Sequence, residues 1–423
     1  MSPDYDLPLS ASLLEANLLD GWRVIHINHD LADINSLNRL LELAGANVHF
    51  LPIPYRKRVD ASALENGSNG QHPWRARYLD VVREELGPLL EVCDLGRTVV
   101  VEDGAYYAEL AASGRVGVAA FTVEQTTSGT RRLARFRREG VLATTAYACA
   151  SATVKLRVES QFLGIRIPED ISGLMAMMGR FLPGIRVAVI GYGIVGRAVA
   201  FRLRSAYRCE VVVIEADGQV ANTARDEGFE TYPRVSEMIE PVSLVIGATG
   251  VSACGYEDLR AVTALGGGVT PVLASASSDV VEFGPALIRA RGVGWLQEAT
   301  MMPWGHRLTG DASQVDVIAD GLPVNFFQPG AQSLSAAVAD LVNYRIVEAL
   351  IDGTRGESSG RDVITWGGSA EGGIWEEDET LLSAFVQRHG LGLDNRQSSV
   401  AMLTSLGLYS EHPQETHLRQ ALL

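Results

Sequence analysis

The segment Gly191-Tyr-Gly193-Ile194-Val195-Gly196 follows directly on the apolar run Val187-Ala-Val-Ile190 and opens a stretch, Ala198 to Leu203, with helical periodicity. Each glycine there has a physical reason. Gly191 permits a tight turn, Gly193 lets backbone approach a pyrophosphate, and Gly196 lets helix and strand pack closely while the helix N-terminus faces the negative charge. A second apolar run, Val211 to Ile214, ends in Glu215, about 20 residues on, where an acid can hold a ribose diol. No arginine follows at once to receive a 2′-phosphate, which favours NAD over NADP. The run Leu244 to Gly247 ends in Ala248-Thr249-Gly250, where backbone would approach the same cofactor, although ordinary turn chemistry also accounts for that glycine. The competing account is a glycine-rich turn with a coincidental acid. The order strand, turn, helix, strand, acid weighs against it.

Other residues have side chains suited to proton transfer. Lys155 and Glu159 are four apart, on one face of a helix. His29 closes an apolar strand, and Asp103 precedes Gly104 at the end of another. Taken singly, each has a plain structural reading: an exposed i, i+4 pair worth a few tenths of a kcal/mol, a strand-end histidine with a structural hydrogen bond, and a turn aspartate. The string Glu124-Gln125-Thr126-Thr127-Ser128-Gly129 likewise reads by itself as a capped turn.

These residues need elements to position them. Val24 to Ile27 reads as a strand, Leu37 to Ala44 as a helix capped at Asn35 or Ser36 and stopped by Gly45, and Val48 to Leu51 as the next strand, a βαβ opening that predicts a parallel sheet. Short strands are predicted at Thr98 to Val101, Val116 to Phe121 and Val141 to Thr144. Helices are predicted over Ser151 to Gly164 and Ile171 to Phe181, and a strongly periodic one over Leu334 to Leu350. The fold class is therefore α/β, with two doubly wound parallel-sheet domains, the second a Rossmann-type NAD-binding domain. The expected organisation is a substrate-binding domain over 1–182, with 331–352 packing back on it, and an NAD-binding domain over 183–330. Residues 353–423 are expected to form a mobile link, rich in Gly and Ser to Gly373, and a helical end.

A chain of 423 residues with 47% hydrophobic content can fill two cores. Its formal charge of −15 disfavours nucleic acid and anionic membrane surfaces as partners, and the arginines from Arg131 to Arg138 read as a solvated or partner-facing helix surface. Four scattered cysteines suggest neither a disulfide framework nor a metal site and suit a reducing cytosol, so a cytoplasmic protein is expected. Neither a secretory leader nor an apolar run long enough for a bilayer is evident.

The motifs together resemble the adenosylhomocysteinase family. His29, with the segment that ends in Gly45-Ala46, resembles its substrate histidine and following helix; Glu102-Asp103-Gly104 resembles its D-D-G-G turn, and Val123-Glu-Gln-Thr-Thr-Ser-Gly129 its E-E-T-T-T-G. Lys155 and Glu159 fall where the family carries a catalytic Lys and Asp. Gly191 to Gly196 is similar to its G-Y-G-D-V-G, and Pro323-Val-Asn325-Phe to its L-V-N-L. The likeness runs in order from about residue 21 to 350.

The resemblance implies an adenosine-type substrate, bound NAD that oxidises the ribose 3′-hydroxyl, elimination at C5′, and a homo-oligomer. It casts Lys155, Asp103, His29, Glu159 and Gln125 around the substrate, and Thr126, Thr127, Ser128, Thr249 and Asn325 towards NAD. The departures fall on proton-handling positions. Gln125 replaces the second Glu, Ala150-Ser151 an Asn-Asp pair, and Ala276-Ser-Ser-Asp279 the G-H-F-D segment, so that a histidine becomes Ser277. Gly330-Ala-Gln332-Ser stands near a missing Gly-His-Pro, and the family's basic, tyrosine-rich tail is absent. Three readings follow in order: an enzyme oxidising the 3′ carbon of a modified nucleoside, a genuine adenosylhomocysteine hydrolase in which Glu124, His306 or Asp311 substitutes for lost groups, and a non-catalytic NAD- or nucleoside-binding regulator. A hydroxy-acid dehydrogenase sharing only the dinucleotide fold comes last.

Overall fold

The computed structural model describes residues 6–53, 73–266, 269–277, 281–311, 313–327, 334–357, 364–366, 379–389 and 398–420. Contacts divide the chain into two units, one of residues 1–54, 78–159 and 334–423, the other of 55–77 and 160–333.

The first unit holds β1 (Arg23–His29), β2 (Asn47–Ile53), β3 (Thr98–Glu102), β4 (Phe121–Glu124) and β5 (Thr145–Ala148), which pair in parallel in the order β5-β4-β3-β1-β2. Parallel neighbours need crossovers, and α1 (Ala32–Leu43), α2 (Tyr106–Ala112) and α3 (Thr127–Arg138) lie in the chain between successive strands. The helix Ala336–Arg355 returns Val342, Ile346, Val347 and Leu350 to the core formed by Leu37, Leu41, Val99, Val101, Phe121 and Val123. The strand Ile364–Trp366 adds to β5 antiparallel, with Trp366 fully buried. That strand lies in the stretch expected to be a link; 358–363 and 367–378 are outside the described residues.

The second unit holds an eight-stranded sheet: β6 (Arg186–Ile190), β7 (Glu210–Ile214), β8 (Glu230–Tyr232), β9 (Leu244–Gly247), β10 (Val272–Ser275), β11 (Glu298–Met302), β12 (Gly305–Thr309) and β13 (Gln314–Ile318). Their order is β11-β12-β13-β10-β9-β6-β7-β8, all parallel except that β12 runs against both β11 and β13. The strand order reverses at β6, where a doubly wound sheet opens the crevice that takes a ligand.

Three expectations need correcting. The strands placed at Val116 to Phe121 and Val141 to Thr144 begin later, because Val118 and Val141 are exposed whereas Thr122 and Glu124 are wholly buried. Thr122 is satisfied there by donating to the Val100 carbonyl at 2.9 Å, which an apolar-run reading cannot foresee. The separate helices at 151–164 and 171–181 are one, α4 (Ser160–Met177), which runs through Pro168 and is preceded by a π-helical turn, Val154–Glu159, rather than by a Ser151 cap. α4 packs on α5 (Ile194–Ala206), and a Cβ on Gly164 would lie 2.7 Å from that of Ala198; the division by contacts falls between Glu159 and Ser160. Finally α1 begins at Ala32 without a side-chain cap, ahead of Asn35 and Ser36.

Candidate functional site

In the first unit the residues with chemistry stand at or just beyond the carboxyl ends of β1, β3, β4 and β5, the edge at which parallel sheets collect ligands. His29 ends β1, and its Nε2 lies 3.6 Å from Asp103 Oδ2. Gln125 Nε2 donates to the same oxygen at 3.0 Å. All three residues are buried. The backbone beneath His29 is set by a polar chain along β1: Asn38 Oδ1 lies 2.6 Å from His26 Nδ1, Asn28 Nδ2 lies 3.0 Å from His26 Nε2, and Asn28 Oδ1 accepts the His29 amide at 2.7 Å. Complete burial pushes His26 down to about 4, so the ring in this chain is neutral.

Asp103 owes its place to the turn after β3, where Gly104 has φ 103° and Ala105 φ 53°. Two buried carboxylates hold that left-handed turn. Glu124 accepts the amides of Gly104, Ala105 and Thr126 and the Thr126 hydroxyl. Glu102 accepts the Tyr107 amide and the Thr122 hydroxyl. Burial, reinforced by a neighbouring carboxylate in each case, pushes Glu102 up to about 8 and Glu124 to about 7. Glu124 is thus committed to backbone. Thr126 caps α3 by accepting the Gly129 amide, and Thr127 and Ser128 begin that helix, Ser128 Oγ lying 3.4 Å from Thr126 Oγ1.

Lys155 and Glu159 form an ion pair of 2.8 Å, each side chain 14% exposed. They project from the π-helical turn, a geometry that is rare and concentrates at functional sites. Asp33, in the first turn of α1, is half-buried near Glu159, and desolvation, with a smaller push from that carboxylate, raises it to about 6. Sequence reasoning passed over Asp33; an acid in a helix's first turn is too common to stand out.

In the second unit Gly191 (φ 93°) turns the chain out of β6, and Gly193 caps α5 without any side-chain bond, so the first amides of that helix are left for a ligand. A Cβ on Gly196 would strike the Gly191 carbonyl oxygen, whereas one on Gly193 would meet no atom within 4 Å. Close packing is needed at one glycine and open space is kept at the other, which is the arrangement a pyrophosphate requires. Ile194 and Val195 form the first turn of α5. Glu215 follows β7, its carboxylate accepting the Tyr192 and Asp217 amides at 2.8 and 2.9 Å. Asn325 is buried in the short helix Val324–Phe327, beyond the Ser275 and Pro323 bridge.

Thr249 is tied down by a residue that sequence reasoning missed. Glu282, fully buried, accepts the amides of Thr249 and Gly250 at 2.8 and 2.7 Å, the Thr249 hydroxyl at 2.8 Å, and the Ser277 hydroxyl. It thereby joins the loops that follow β9 and β10. The available signal was an acid inside the apolar run Val280-Val281-Glu282-Phe283. His306, considered as a substitute for a lost histidine, is buried with Nδ1 3.1 Å from Asp320 Oδ1, and Asp311 is exposed.

Residues 187–235 match the TrkA-N domain family. The adenosylhomocysteinase of Thermoplasma acidophilum is 29% identical over 309 residues, 72% of this chain and 73% of its own. That of Aeropyrum pernix is 27% identical over 343 residues, 77% of this chain and 79% of its own. The S-inosyl-L-homocysteine hydrolase of Methanopyrus kandleri is 29% identical over 244 residues, 56% of this chain and 55% of its own. This chain is a divergent relative of the adenosylhomocysteinases. Its cofactor is NAD, which the glycine turn, the open N-terminus of α5 and Glu215 with no arginine behind it all fit.

Set against the adenosylhomocysteinases, the departures have physical settings. Gln125 places an amide on Asp103 where that family's string has a second acid. Ala150 and Ser151 form a buried turn after β5, the Ser151 hydroxyl donating to the Ala148 carbonyl at 3.4 Å. Ser277, in place of the family's histidine, is bound to Glu282. Ser278, Asp279 and Gly330 to Ser333 lie outside the described residues. Among the described residues no helix is long and apolar enough to cross a membrane.

Proposed function

We propose that this chain is an NAD-dependent enzyme that oxidises the 3′-hydroxyl of an adenosine-type nucleoside. The observation that carries the reading is the Lys155 and Glu159 pair at the same sheet edge as His29, Asp103 and Gln125. The sequence contains 34 arginines and two lysines, Lys57 and Lys155. A chain that uses arginine for nearly all of its positive charge carries, at 155, a side chain that can release and accept a proton.

In this reading the Lys155 amine, in its unprotonated form, takes the proton of the 3′-hydroxyl, and the Glu159 carboxylate beside it holds the amine in place and balances the ammonium charge that forms. Asp103 accepts a sugar hydroxyl, kept in register by Gln125 and His29. Bound NAD supplies the hydride acceptor for the 3′ carbon. The amides of Gly193, Ile194 and Val195 would hold its pyrophosphate, Glu215 a ribose diol, and Thr249 and Asn325 the remaining half. The ketone left at C3′ acidifies the C4′ proton, so that a modified nucleoside can lose its 5′ substituent from the same site.

The test is to identify the nucleotide released from the purified protein and to incubate the NAD-loaded form with adenosine, inosine and their homocysteine thioethers. Ultraviolet absorbance of NADH and product mass are followed. NADH formation supports the reading, and homocysteine release extends it to full hydrolysis. Bound NAD that none of the nucleosides reduces would leave the regulatory reading.

A further inference from the structure

The C-terminal segment 398–420 plays no part in this chemistry, yet it is anchored on the turn that presents Lys155. Arg157 Nε donates to Glu415 Oε2 at 2.9 Å, and one terminal nitrogen donates to the Tyr409 hydroxyl at 2.6 Å and to Glu411 Oε1 at 3.0 Å. The Ser410 amide donates to the Arg157 carbonyl at 3.0 Å, and the guanidinium lies 5.7 Å from the centroid of the Tyr409 ring. The Arg157 and Glu415 side chains are 15% and 8% exposed, so the pair is largely desolvated.

Residues four apart on a helix share a side, and a residue midway between them faces elsewhere. Lys155 and Glu159 therefore share one side of the π-helical turn, and Arg157 faces away, into the C-terminal segment. Charge-assisted hydrogen bonds from a planar guanidinium fix direction as well as distance. A buried bond of that kind on the far side of a short, uncommon helical turn fixes its rotation.

We propose that Arg157 is a positioning residue, through which segment 409–415 sets the direction of the Lys155 amine and its Glu159 partner. The proposal rests on the role given to Lys155 above and assigns the C-terminal segment an intramolecular task.

With Lys57 and Lys155 the only lysines in the sequence, acylation of the full chain by a limiting amine reagent, followed by peptide mass spectrometry, reads Lys155 directly, with Lys57 as reference. Arg157→Gln removes the anchor, and Glu415→Gln loosens it while keeping side-chain size, should the first fail to fold. Both are expected to change the Lys155 to Lys57 acylation ratio severalfold. Because small misplacements of a catalytic group are costly, nucleoside-driven NAD reduction should fall by about tenfold with NAD affinity unchanged, and Arg157→Lys should restore part of it. An unchanged acylation ratio in a folded variant overturns the proposal. If none of the nucleosides reduces NAD on the wild type, the chemistry given to Lys155 fails, while the acylation ratio still decides whether Arg157 positions it.

Discussion

Gln125 donates its side-chain amide to Asp103 at 3.0 Å, on the same carboxylate oxygen that His29 approaches to 3.6 Å. Asp103 is thus bracketed by neutral or cationic partners, although Glu102 and Glu124 are buried close behind it. A carboxylate at position 125 would face Asp103 at hydrogen-bonding distance, and two such groups cannot both ionise cheaply.

Gln125→Glu should therefore lower unfolding free energy by about 1–3 kcal/mol at neutral pH, the scale of an unsatisfied buried polar contact. The loss should shrink on acidification, because protonation of the introduced acid restores a donor. Urea unfolding at pH 5 and pH 7.5 measures it; a loss that does not depend on pH would mean that position 125 does not sense Asp103.

Lys155→Arg separates charge from proton transfer. The guanidinium keeps an ion pair with Glu159, 2.8 Å away in the wild type, but does not give up its proton in this pH range. Nucleoside-driven NAD reduction should fall by about 10²–10⁴-fold, the usual loss when a proton-transfer group is removed. NAD affinity and melting temperature should stay close to wild type. Stopped-flow absorbance and calorimetric titration with NAD check both halves.

How far these positions were legible in the sequence depended on what each one does. The glycine turn and Glu215 stood out because their spacing is dictated by local backbone geometry, and strands β6, β7 and β9 lie within a residue of their expected places. Lys155, Glu159, Asp103 and Gln125 could be given roles only through a resemblance, since residues from three separate places in the chain share no spacing rule. Glu102, Glu124 and Glu282 escaped as structural anchors, because a buried acid satisfied by amides at no fixed spacing looks in a sequence like any surface acid. The π-helical turn was equally hidden: its apolar residues satisfy an ordinary helical pattern.

Glu282 is the anchor with the clearest consequence for the cofactor. Glu282→Ala strands the amides of Thr249 and Gly250 and two hydroxyls, at a cost of about 1–3 kcal/mol in stability for each group left unsatisfied. Loosening the loops after β9 and β10 should also weaken NAD at least tenfold. Calorimetric titration of the folded fraction at low temperature measures the second effect; an unaltered affinity would show that neither loop contributes to the NAD site.

The buried pair at the ends of β3 and β4 fixes the sign of a pH effect. Glu102 is raised to about 8 and Glu124 to about 7 from an ordinary 4.5, so folding favours their protonated forms. Where the folded state holds the extra proton, stability falls as pH rises. Their contribution is full below about pH 4.5 and is lost through pH 7 to 8. His26 acts in the opposite sense: lowered to about 4 from 6.5, it contributes fully above pH 6.5 and loses that contribution as pH falls towards 4. The two limbs are told apart with Glu102→Gln, which does not titrate. Whatever its absolute stability, wild type should lose stability relative to this variant between pH 5 and 8, by on the order of 1 kcal/mol or more. Chemical denaturation of both proteins at intervals across that range checks the slope, and parallel curves would mean that Glu102 is ionised in the folded chain throughout.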